Sequence, residues 1–170
     1  MKTVWSIVLS AAVVLVPVRS IGQNSAQMPA AIAAPGQTVI LTVHGEGAQV
    51  YECKAAADGR LSWQVREAIA TLLRDGETVG RHYAGPTWEN TDGSLVVGRV
   101  VAIVFGATPS DIPWLRLEVV RRQGSGMLSG VTTVQRINTK GGIAQGPCDS
   151  TGSYLSVPFS ADFVFLGRGA

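Results

Sequence analysis

One stretch concentrates the residue types that do chemistry. Gly80 to Ser94 reads GRHYAGPTWENTDGS and holds Arg81, His82, Tyr83, Trp88, Glu89 and Asp92. An imidazole titrates near neutral pH, so His82 with Glu89 or Asp92 has the composition of a general acid–base pair. Such a pair would suit a hydrolase or an isomerase. Tyr83 and Trp88 offer aromatic platforms, and Arg81 and Glu89 offer polar anchors. Few polar groups among aromatic rings is the usual make-up of a small-molecule or glycan pocket. Trp114, in Asp111-Ile112-Pro113-Trp114-Leu115, is a further candidate contact. The same residues also suit a structural hairpin, with Trp88 capping the core and His82 and Glu89 satisfied by hydrogen bonds.

Other chemical templates find little here. His44-Gly45-Glu46 puts two ligand types near one another on a strand, short of the three or four a metal site needs. The chain has no G-x-S-x-G elbow and no G-x-G-x-x-G loop. Glycoside hydrolysis needs two carboxylates facing across a cleft. Glu89 and Asp92 sit at a hairpin tip, which seldom encloses one. Arg121-Arg122 is a short basic pair, too small for a nucleic-acid footprint. No metal, cofactor or nucleic-acid partner is expected.

Strands must position the candidate residues. Phe159, Ala161, Phe163 and Phe165 recur at period two, as do Val131, Thr133, Gln135 and Ile137 against Thr132, Val134, Arg136 and Asn138. Leu61, Trp63 and Val65 share another face. Period two is the pleat of a β-strand, so one face of each is free to be buried. Val39 to Val43, Leu95 to Phe105 and Leu115 to Val120 are rich in β-branched residues, and Leu95–Phe105 reads as a strand covered on both sides. Asp58-Gly59, Asp75-Gly76 and Asp92-Gly93 are hairpin dipeptides. Arg66 to Leu73 fits either one short helix of about two turns or an irregular stretch. The expected fold is all-β: one antiparallel β-sandwich or partly closed β-barrel, with at most one short helix.

The chain has 170 residues, 46% of them hydrophobic and 15% charged. That is one domain with enough apolar surface for a core. Met1-Lys2-Thr3 followed by the apolar run Val4 to Val18 has the design of a secretory signal. Pro17 and Arg19 cut that run below the ~20 residues of a membrane span. The expected organisation is therefore a signal peptide at 1–26, cleaved after Ser20 or Ala26, and one β domain at 27–170. Within it, 27–36 reads as a loose arm. Lys2 and Arg19 both fall in the leader, which has no Asp or Glu. The leader thus accounts for the formal net charge of +2, and the remainder is balanced.

The expected location is secreted or periplasmic, with no membrane insertion after cleavage. Such compartments are oxidising, so Cys53 and Cys148, the only cysteines, are expected to pair as a disulfide. Two free buried thiols or one reactive thiol are the alternatives.

The GRHYAGPTWENTDGS segment closely resembles the signature of an uncharacterised family of exported proteins, the domain-of-unknown-function family numbered 3455. Gln49-Val50-Tyr51-Glu52-Cys53, Ile112-Pro113-Trp114-Leu115 and Val134 to Gly142 resemble further family motifs, in order. Cys148 and the aromatic C-terminal strand also fit. One departure is Val65-Arg66-Glu67-Ala68, where the family pattern has a proline before the glutamate. The resemblance implies export but no reaction and no catalytic residues. Three functions remain open. The first is a non-catalytic module binding a small molecule, glycan or surface component. The second is a structural or stress-related envelope protein. The third is the enzyme using His82 with Glu89 or Asp92.

Overall fold

The structure is a computed structural model and describes residues 28–169; the expected leader lies outside the described residues. Eight strands follow one another: β1 (Gln37–Ala55), β2 (Leu61–Arg74), β3 (Glu77–Tyr83), β4 (Thr87–Asn90), β5 (Leu95–Val104), β6 (Trp114–Gln123), β7 (Thr133–Gly141) and β8 (Tyr154–Arg168). Each is antiparallel to the next, and β8 pairs back onto β1, so the sheet closes in a ring. Of the two expected architectures, the barrel is the one that forms. The closure is partial in extent: Leu61–Ile69 of β2 pairs with β1 alone, because β3 reaches only Ala70–Arg74.

The ring is uneven. β1 runs for 19 residues and β8 for 15, whereas β4 has 4. Register shifts at Val50/Tyr51 in β1 and at Ile137/Lys140 in β7 sharpen the local twist that closure needs. At Gly47 any Cβ would overlap the Ile69 carbonyl, so the β1–β2 approach at that point requires glycine. The Asp75-Gly76 dipeptide joins β2 to β3 with φ of 52° and 84°, the two positive values of a type I′ turn.

The period-two reading of β8 locates the core. Phe159, Ala161, Phe163 and Phe165 all point into the ring and are buried. They meet Leu41 and Val43 of β1, Val96 of β5, Leu117 of β6 and Val134 of β7. Each buried Phe side chain contributes roughly 1.5–3 kcal/mol of apolar transfer.

Three expectations are corrected. Arg66 to Leu73 is part of β2, not a helix. Ala68, Ala70 and Leu72 face inward while Ile69 is exposed, and β1 supplies the backbone partners. A stretch this short gains little as a helix by itself, so sheet pairing wins. Leu95–Phe105 is covered on one side only. Val96 and Gly98 are buried, but Ile103 is 60% and Phe105 91% exposed. A ring has one interior, and the side chains of Ile103 and Phe105 lie on the solvent side of it.

Residues 28–36 are also not loose. Ala30–Ile32 forms a 3-10 turn with Ile32 fully buried. The Ile32 carbonyl accepts from Gln135 Nε2 at 2.7 Å, and the Ala33 carbonyl from Arg116 Nη1 at 2.6 Å. This segment covers the outer face of β7. Thr133 and Gln135 are therefore buried even though Val134 faces the interior.

Candidate functional site

The chemistry-bearing segment forms the β3–β4 hairpin, with His82 opposite Trp88 and Arg81 opposite Glu89. Neighbouring side chains on a strand point to opposite faces, so the hairpin divides the candidate set. Arg81, Tyr83 and Glu89 lie outside the ring. Arg81 Nη2 donates to Glu89 Oε2 at 2.9 Å, and the Tyr83 hydroxyl donates to the same oxygen at 2.9 Å. The Tyr83 hydroxyl first, then Arg81, holds the Glu89 carboxyl below its ordinary value. The Arg81 guanidinium also sits over the Tyr83 ring, 5.2 Å from its centre.

His82 and Trp88 lie inside. Their rings stack with centroids 4.7 Å apart and planes 14° from parallel, and Phe163 packs 5.2 Å from His82. His82 Nδ1 lies 2.9 Å from the Thr87 carbonyl, which can only accept, so Nδ1 carries the proton. Burial pushes the His82 pKa down to about 4, with the Arg136 charge adding to that and the Thr87 bond opposing it. His82 is therefore neutral at neutral pH. The expected acid–base pairing of His82 with Glu89 is not assembled, because the sheet separates the two groups.

Asp92 is not near His82 either. Its Oδ1 accepts from Ser94 Oγ at 2.6 Å, and its Oδ2 accepts from the Met127 amide at 2.7 Å. Ser94 Oγ in turn accepts from the Leu128 amide at 3.1 Å. Asp92 thus ties the β4–β5 turn to the β6–β7 loop, and its bond with the Met127 amide, above all, lowers its pKa. Ser94 is fully buried in this bridge. Ser94→Ala strands the Leu128 amide and should lower stability by about 1–3 kcal/mol, seen as a lower thermal midpoint in calorimetry. An unchanged midpoint would show that the bridge contributes nothing.

The inner face of the hairpin opens on a cavity of about 300 Å³. Trp88, Phe163, Ile112 and Leu117 supply apolar wall, and Tyr51, His82 and Arg136 supply polar groups. The Tyr51 hydroxyl is committed to the Gly142 carbonyl at 2.6 Å. Arg136 lies opposite Phe163 in the β7–β8 register. Its Nε and Nη2 both donate to the Pro113 carbonyl, at 3.1 and 2.8 Å. Burial lowers the Arg136 pKa to about 10, which leaves it positive at neutral pH. Glu67 reaches the cavity rim but turns to Arg66, 3.5 Å away.

The family model described as protein of unknown function (DUF3455) matches residues 34–77 and 73–167. The chain belongs to the DUF3455 family. No curated protein and no solved structure matches it. The DUF3455 match takes in all eight strands but the last residue of β8, and every cavity residue named above.

Part of this DUF3455 site lies beyond what the sequence reading singled out. Tyr51 sits in a quoted family motif, and Arg136 shares a pleat face with Val134. Neither carries a local mark of a cavity position. Trp114, expected as a contact, does not line the cavity, whereas Pro113 and Leu115 on either side of it do. Trp114 Nε1 is buried without an acceptor.

The cysteines pair as expected. Cys53 in β1 bonds Cys148 in the β7–β8 loop. The Cys53 amide donates to the Ser153 carbonyl and its carbonyl accepts from the Gly152 amide. The same loop carries Ile143, another cavity wall residue, so the disulfide braces one side of the DUF3455 cavity.

Proposed function

We propose that this DUF3455 domain is a non-catalytic module that binds a small, largely apolar molecule inside its ring. The carrying observation is the cavity of about 300 Å³ between Trp88, Phe163 and Leu117. An eight-stranded barrel either fills its interior with side chains or holds one small ligand there. Small-molecule sites begin at about this volume and pair apolar walls with a few fixed polar groups. The inward stacking of Trp88 on His82 favours an enclosed ligand over a glycan on an open aromatic platform. The Cys53–Cys148 bond fits an oxidising compartment, in line with the expected export.

A neutral apolar dye, N-phenyl-1-naphthylamine, tests the reading by its rise in fluorescence on entering a dry cavity. Saturable binding to the wild-type chain is expected. Ala68 faces the cavity, and Ala68→Trp should fill it and weaken dye binding by about tenfold or more. Thermal melts confirm that the variant is folded. Equal dye binding by both chains, or none by the wild type, would overturn the reading.

A further inference from the structure

Resting on the cavity reading above, we infer that the ligand is an apolar organic monoanion whose carboxylate pairs with Arg136. The inference starts from an unbalanced charge. Arg136 is half-buried on the inner face of β7, and its only polar partner among the described residues is the neutral Pro113 carbonyl. A cation taken out of water is costly unless a counter-charge meets it. None of the described Asp or Glu residues forms an ion pair with it. Glu67 is the acidic residue of the cavity lining, and it is engaged by Arg66 at the rim.

The remaining cavity groups define what can fill this place. A guanidinium presents five N–H donors in a planar fork; the Pro113 carbonyl engages one on Nε and one on Nη2, which leaves those on Nη1 and the second on Nη2. The fork matches the two oxygens of a carboxylate. Tyr51 brings no opposing charge, since its hydroxyl is neutral and donates to Gly142. His82 is neutral and its Nδ1 proton is spent on Thr87, so Nε2 offers only a lone pair. Arg66, the other cation of the lining, pairs with Glu67, so among the described residues Arg136 is the one cavity cation without a carboxylate partner, which suits a single negative charge. The rest of the wall, with Trp88, Phe163, Ile112 and Leu117, suits a hydrocarbon or aromatic body. An amine would face Arg136 with like charge, and a neutral molecule would leave the cation unpaired.

Isothermal titration calorimetry on the full disulfide-bonded chain decides this. The probes are octanoate and 3-phenylpropionate, each against its primary alcohol and primary amine. A charge-assisted pair should make at least one acid bind about tenfold or more tighter than its alcohol, with the amine weakest. Arg136→Met should bring acid and alcohol to equal affinity while the alcohol still binds. Arg136→Lys should keep part of the preference for acid. If Arg136→Met does not fold, the acid-to-alcohol ratio of the wild type and the Arg136→Lys result still decide. Equal affinity for acid and alcohol, or dye binding with no acid binding, overturns the Arg136 assignment and leaves the cavity reading standing. Loss of dye binding as well overturns both.

Discussion

Removing the Cys53–Cys148 bond lowers the stability of the domain by about 4–5 kcal/mol. The bond joins residues separated by 95 positions, so its loss frees a long loop in the unfolded chain. Loop-closure entropy grows with the logarithm of loop length, and a loop of this size lies near the top of the usual range. Total stability of a domain is about 5–15 kcal/mol, so about a third of the margin or more goes with the bond. The effect reaches the cavity as well. Cys148 holds the β7–β8 loop on β1, and that loop supplies Ile143 to the wall. Urea unfolding of the Cys53→Ala/Cys148→Ala double variant measures the loss, and the same variant should bind dye more weakly. A midpoint equal to that of the wild type would contradict the loop-entropy account.

Acidification from pH 7 to pH 4 should cost the fold about 3 kcal/mol through His82 alone. The sign follows from where the proton binds. In the folded ring the His82 pKa is about 4, against 6.5 for a free imidazole. The unfolded chain therefore takes up the proton first as pH falls below 6.5. Stability drops through that window and the His82 effect is complete below about pH 4. Folded-state carboxyls act at lower pH. Glu89, Asp92 and Asp111 are all held below their ordinary values, so the unfolded chain protonates them first and what they contribute is lost as pH falls through the ordinary carboxylate range toward those lower values. His82→Phe keeps a ring against Trp88 and has no proton to gain. It sets a constant offset from the unpaired Thr87 carbonyl and should remove the slope between pH 6.5 and 4.5. If the variant and the wild type lose stability in parallel across that window, the buried neutral imidazole is not the cause.

Both effects depend on residues that the sequence marks clearly, but it marks them unequally. The disulfide was legible because only two cysteines exist and the leader-like start led to the expectation of an oxidising compartment. The acid sensitivity was not. His82 was open to a catalytic reading because Glu89 and Asp92 lie near it in the chain. Alternation along β3 and β4 sends Arg81 and Glu89 outward and His82 and Trp88 inward, so proximity in sequence became separation across a sheet. Asp92 had the right chemistry for a base, and its position over the β6–β7 loop made it an anchor instead.

By itself the sequence determined an all-β chain, the buried face of β8 from Phe159 to Phe165, the hairpin turn at Asp75-Gly76 and the cysteine pair. These follow from side-chain parity, local φ preferences and counting, which need no distant partner. Only the tertiary structure decided that β8 returns to β1, that a cavity remains inside and that Arg136 faces it. The reason is visible in β7. Its two faces carry Val134 and Arg136 on one side and Thr133 and Gln135 on the other, and both sides are covered. Parity separates the faces without saying which is interior. That choice rests on β7 pairing with β6 and β8 while the Ile32 carbonyl meets Gln135 on its outer side, a contact between residues 103 positions apart.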